Sequence, residues 1–192
     1  MKAEENQRTR LTRRLLQESL LALLGEKSIE KITVKELCER AQLNRTTFYL
    51  HYGSPEDVLE EIENGLIAKT QETLAQIGAH DAALRLESML VSIQKNERVF
   101  RLLLCENGRD SFRMRFFASV FPHGIADETF SRTNGAVRPY VDGYLVGGAF
   151  AAVYTWIAGG FALPVRDLAR LLSGLSVSAA AYCEENARAA GE

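Results

Sequence analysis

Apolar residues recur at intervals of three and four along most of this chain, and no stretch alternates apolar with polar residues long enough to argue for a sheet. The expected fold is therefore all-α, with about nine helices. Leu11, Leu15, Leu16, Leu20, Leu23 and Leu24 form a stripe on a first helix that Gly25 can stop. Thr33-Val-Lys-Glu36 has the spacing of a capping box, in which a hydroxyl and a carboxylate each satisfy an orphan backbone N–H group, and so opens a second helix. Its inward positions are Val34, Leu37, Cys38 and Ala41. After a break at Gln42-Leu43, Asn44 can cap a third helix running to about Tyr52. Ser54-Pro55-Glu56-Asp57 then places a cap, a first-position proline and two acids at the start of a fourth, ending near Gly78. Further helices are expected at roughly 81–95, 96–106, 109–121, 137–159 and 164–188, around a less regular stretch at 122–136.

Two short helices joined by a tight turn suit a helix-turn-helix, provided the second presents side chains that can touch bases and phosphates. The segment 43–52, LNRTTFYLHY, meets that condition when sorted by helical angle. Phe48 and Tyr52 lie one turn apart on a face that should join the core of Val34, Leu37, Ala41 and the first helix. Arg45, Thr46 and Tyr49 point the other way, with Leu50 at the edge, while Thr47 and His51 flank the seam. Arg45 offers a planar fork for guanine or phosphate. Thr46 and Thr47 can hydrogen-bond to DNA or pack a methyl on thymine, and Tyr49 can donate to a phosphate. Lys35 and the amino end of the fourth helix at Ser54 are candidates to grip the backbone. Charge agrees: the formal charge of −2 divides into +3 over residues 1–54 and −5 over 55–192, so an anionic partner would meet the amino-terminal end.

The run TVKELCERAQLNRTTFYLHYGSPEDVL, residues 33–59, resembles the DNA-binding segment of the TetR family of transcriptional regulators. The resemblance implies an all-α homodimer in which residues 1–54 form the helix-turn-helix domain and 55–192 a ligand-binding and dimerisation domain. It assigns operator contacts to Lys35, Arg45, Thr46, Thr47, Tyr49 and His51, and core packing to Leu37, Phe48 and Tyr52. The implied partners are a double-stranded palindromic operator, a second copy of the chain and a small-molecule effector, and the implied function is a repressor relieved by that effector. The alternative is a protein of this fold that regulates by protein interaction, as a coactivator, with weak or no operator binding. Two positions depart from the family pattern. Gln42 stands where the turn often has Gly, and Pro55 replaces a common Lys, removing one expected phosphate contact.

In such a family the last two helices of each subunit build a four-helix dimer interface. Gly143, Gly147 and Ala151, with Gly148, Ala149 and Ala152, would let helices approach closely, and Leu168, Leu172 and Leu175, with Leu171 and Ala179, supply the matching stripe. Residues 143–165 carry no formal charge and are long enough to span a bilayer. Their Gly and Ala content, the closing Pro164 and the amphipathic helix that follows point instead to a buried interface helix and to no membrane. Met89, Phe100, Phe112, Phe116, Tyr140, Tyr144 and Trp156, with Phe117 and Met114, fall where an effector pocket would lie. Arg101, Arg113 and Arg115 are cations that an acidic effector could face.

Cys38, Cys105 and Cys183 are scattered and odd in number, which points to free thiols in a reducing cytoplasm. The charged amino terminus lacks the apolar core of a signal peptide. His80 and His123 have no partner at metal-ligand spacing, so neither a metal site nor a cofactor is expected. The motifs GxSxG, GxxxxGK[ST], HExxH and GxGxxG are absent, and an enzyme is not expected.

Overall fold

The computed structural model of the chain describes the backbone of residues 2–77, 82–106, 110–120 and 138–189, and among these every regular element is helical. In chain order they are α1 (Lys2–Leu24), a short 3-10 turn (Ile29–Lys31), α2 (Val34–Ala41), α3 (Arg45–Tyr49), α4 (Pro55–Ala75), α5 (Ala82–Lys95), α6 (Glu97–Phe100), α7 (Asp110–Val120), α8 (Arg138–Ala158) and α9 (Val165–Ala189). Gly78, His80, Pro122, His123 and the stretch 122–136 lie outside the described residues. Two compact units divide the chain between Leu66 and Ile67, inside α4, rather than at the boundary expected near residue 54.

In the amino-terminal unit α1 packs on α2, and α2 on α3. Leu16, Leu20 and Leu24 of α1 bury with Leu37, Phe48, Val58 and Leu59, all at most 1% exposed. Leu11, expected on the α1 stripe, is 56% exposed. Each short helix begins on a side-chain cap. The Glu36 N–H donates to Thr33 Oγ1 at 3.3 Å while the Thr33 N–H donates to Glu36 Oε2 at 3.0 Å, closing the capping box. The Thr47 N–H donates to Asn44 Oδ1 at 2.6 Å. α2 ends on Gln42 at φ 55° and ψ 40°, the left-handed conformation that normally selects Gly, and the Leu43 N–H donates back to the Cys38 carbonyl at 2.9 Å.

In the carboxy-terminal unit α5 packs on α9, and α7 on α8. The segment expected as one helix at 96–106 begins as α6 and widens at Arg101–Glu106 into a π-helix that buries three consecutive leucines, Leu102, Leu103 and Leu104. An α-helix turns about 100° per residue and cannot point three successive side chains at one neighbour; this segment meets both α7 and α8. The turn between α8 and α9 places Gly160 at φ 68° and Phe161 at φ 60°. Phe161 is held there edge-on to Trp156, centroid to centroid 4.6 Å, and Trp156 Nε1–H donates to the Leu163 carbonyl at 2.6 Å.

Candidate nucleic-acid interface

Phe48, with no exposed surface, and Tyr52, at 6%, fix the inward face of α3. The outward face follows from the helical angle: Arg45 and Thr46 are exposed, Tyr49 is 59% exposed, and Thr47 and His51 are half-buried at the seam. Buried Phe48 meets the Tyr49 ring at 84° with centroids 5.4 Å apart, so the core orients a ring on the reading surface. Lys35, on α2, is exposed, and its Nζ lies 3.9 Å from Glu39 Oε1, a surface pair that costs little to exchange for a phosphate. All six sequence-predicted contact residues thus reach the surface of one helix-turn-helix, whose framework ion pairs, Arg40 with Glu26 at 2.6 Å and Lys27 with Glu36 at 2.5 Å, tie α2 to the segment after α1.

The start of α4 is arranged differently from the backbone grip expected there. Asp57 Oδ2 accepts from the Gly53 N–H at 2.7 Å and from the Ser54 N–H at 3.1 Å, and Pro55 has no N–H and is buried. The backbone donors of Gly53 and Ser54 are taken by a carboxylate, which those bonds hold below its ordinary pKa, the Gly53 N–H foremost and the Ser54 hydroxyl next. Leu50, which carries no hydrogen-bonding group, also stands on the outward face of α3 and is 76% exposed. Its signal was its position one turn beyond Thr46.

In the other unit the sequence-predicted pocket residues separate. Met89, Phe100, Phe112 and Phe116 are at most 1% exposed, and the rings of Phe100 and Phe112 pack on Phe116 at 5.2 and 5.8 Å. Trp156 is buried in the turn clamp between α8 and α9. Tyr140 and Tyr144 do not join them: they are 79% and 75% exposed, because they occupy the outer face of α8. Met114 is also exposed, at 60%. Arg113 lies beside this core, its Nε–H donating to the Leu104 carbonyl at 3.1 Å and its guanidinium carbon 5.3 Å from the Phe150 ring centroid.

The residues expected at a dimer interface divide similarly. Gly143, Gly147, Ala151 and Leu175 are exposed. Leu168 and Leu172, at 3% and 4%, are buried within the subunit. The exposed leucines of α9 are Leu171 and Leu175, one turn apart. A groove of about 360 Å³ runs between α8 and α9, lined by Tyr144, Gly148, Ala152, Leu175, Ser176 and Ala179 among others. Pro139–Ala158 is, among the described residues, the one helix long and apolar enough to cross a bilayer, and only 22% of that span is buried in the subunit. No group of metal-ligating side chains occurs among the described residues. Cys38 is buried and Cys105 half-buried, each thiol pushed up by burial; with the half-buried Cys183, all three are free.

Residues 18–62 match the family described as bacterial regulatory proteins, tetR family. Over 55 residues the chain is 42% identical to the uncharacterized HTH-type transcriptional regulator YxbF of Bacillus subtilis (strain 168), a match covering 27% of this chain and 14% of that protein. Across almost its whole length the fold is similar to the crystal structure of a TetR transcriptional regulator from Streptococcus agalactiae 2603V. There the TM-score is 0.73 at 20% identity, covering 92% of this chain and 99% of the other. The dihydroxyacetone kinase operon activator DhaS is also similar, with TM-score 0.61 at 16% identity, covering 90% and 98%. The proteins matched are regulators of transcription, not enzymes.

Proposed function

We propose that this chain, which belongs to the TetR family of transcriptional regulators, is a sequence-specific DNA-binding repressor that acts as a homodimer and is relieved by a small ligand. The observation that carries the reading is the two-sidedness of α3. Phe48 and Tyr52 anchor it, while Arg45, Thr46 and Tyr49 stand in solvent with the donors and methyl groups that base edges and phosphates recognise. Each subunit would lay one α3 in the major groove. Two-fold symmetry then demands half-sites about 34–36 Å apart, and an effector acts by changing that spacing. Dimerisation is supported by the outer faces of α8 and α9, where Tyr140, Tyr144, Leu171 and Leu175 are exposed beside Gly143, Gly147 and Ala151.

A second reading, regulation through protein contact, is favoured by one observation. The donors of Gly53 and Ser54 are already engaged by Asp57, and Pro55 is buried where a cation would hold a phosphate, so this chain has a weaker backbone grip. DhaS, whose fold is similar, is titled an operon activator, so the sign of regulation does not follow from the fold. Binding to duplex DNA across a salt series separates the readings. The repressor reading expects affinity that falls with salt and drops roughly 10- to 100-fold in Arg45→Ala and Tyr49→Ala. Salt-insensitive binding, or binding indifferent to both substitutions, favours the protein-contact reading.

A further inference from the structure

We propose that Leu50 reads the methyl group of a thymine in the operator, making it a specificity-determining residue; this rests on the DNA-binding reading above. Leu50 is 76% exposed, the most exposed of the large hydrophobic side chains described in the amino-terminal unit, in a region that buries Leu16, Leu20 and Leu37 completely. It contributes almost nothing to that core. Its backbone nonetheless stays in helical register, at φ −71° and ψ −19°, with its N–H donating to the Thr46 carbonyl at 3.2 Å. Leu50 therefore stands one turn beyond Thr46 and beside Tyr49, within an arc of about 100° on the outward face of α3.

Every other outward group on that face can hydrogen-bond; Leu50 cannot. In the major groove the only apolar feature of a base edge is the thymine C5-methyl, so a leucine carried on a reading helix has one chemical partner there. Arg45, five residues earlier, is suited to guanine or phosphate. Arg45 and Leu50 then read different positions of one half-site, and a thymine is expected at the one Leu50 faces.

The test removes only the methyl. On the palindrome selected by the wild-type protein, each thymine in turn is replaced by deoxyuridine in both half-sites, and the affinities of wild type and Leu50→Ala are compared. Because Leu50 is exposed, Leu50→Ala should keep the wild-type thermal melt. The expected result is one symmetric thymine pair whose methyl loss weakens wild type about fifteenfold, about fourfold per methyl, and leaves Leu50→Ala unchanged. Equal loss in both proteins would move the methyl contact to another residue of α3 and overturn the proposal. So would the absence of any deoxyuridine effect, with the DNA-binding reading intact. If wild type selects no palindrome at all, the DNA-binding reading fails and the Leu50 proposal falls with it.

Discussion

Arg13 of α1 holds its guanidinium carbon 5.8 Å from the centroid of the Tyr52 ring, at the end of the segment that carries the reading residues. The same guanidinium reaches Glu61 Oε1 at 3.4 Å, and Gln17 Nε2 donates to that oxygen at 3.1 Å. The Tyr52 hydroxyl is buried beneath this group, outside hydrogen-bonding geometry to any side chain, and burial pushes its pKa up to about 12. A buried hydroxyl that makes no bond costs desolvation and returns nothing. Tyr52→Phe should therefore be neutral or stabilising, within about 1 kcal/mol, in urea denaturation. A loss well beyond that would mean the hydroxyl is bonded in solution.

Gln42 holds the left-handed turn between α2 and α3 without the benefit of Gly. Gln42→Gly should raise stability by about 1 kcal/mol, read as a higher urea midpoint with unchanged slope, and Gln42→Val should lower it. No gain from Gly would place the preferred conformation of Gln42 elsewhere.

Glu36 caps α2 and pairs with Lys27, and the Lys27 hydrogen bond first, then those from Thr33, lower its pKa from 4.5 to about 2. Because the folded pKa lies below the unfolded one, the stabilisation is complete above about pH 4.5. It is lost as pH falls from about 4.5 to about 2. Glu36→Gln should flatten the acid limb of the stability curve in that window and leave the limb above pH 5 parallel to wild type. An unchanged acid limb would assign the loss to other carboxylates, Asp57 among them.

α2 and α3 are the part of the molecule most legible from sequence, because their caps, the break at Gln42-Leu43 and the Phe48/Tyr52 pair each mark a phase. The phase of α8 is not legible, since it is apolar on nearly every side, so nothing in its sequence says that Tyr140 and Tyr144, expected at an effector pocket, are exposed. α9 carries leucines on two faces, so its sequence does not say that Leu168 and Leu172 serve the subunit while Leu171 and Leu175 face out. The π-helix at Arg101–Glu106 left no trace in the spacing of a run of leucines.

The outer face of α8 and α9 gives a direct prediction about assembly. A Cβ added at Gly147 would meet nothing within 4 Å in the subunit, and Leu175 is 57% exposed. Gly147→Glu and Leu175→Arg should therefore keep the helical circular dichroism of wild type while sedimenting as monomers. Dimers that persist in both would put the interface on another face.

Whether α3 reads DNA sequence is decided by selecting bound duplexes from a random pool at near-physiological salt and sequencing them, with wild type and Arg45→Ala in parallel. The expected result is a palindrome with half-sites about one helical turn apart, enriched by wild type and lost or relaxed in Arg45→Ala. A folded wild-type dimer that enriches no sequence, or an Arg45→Ala protein that enriches the same palindrome equally well, would contradict it.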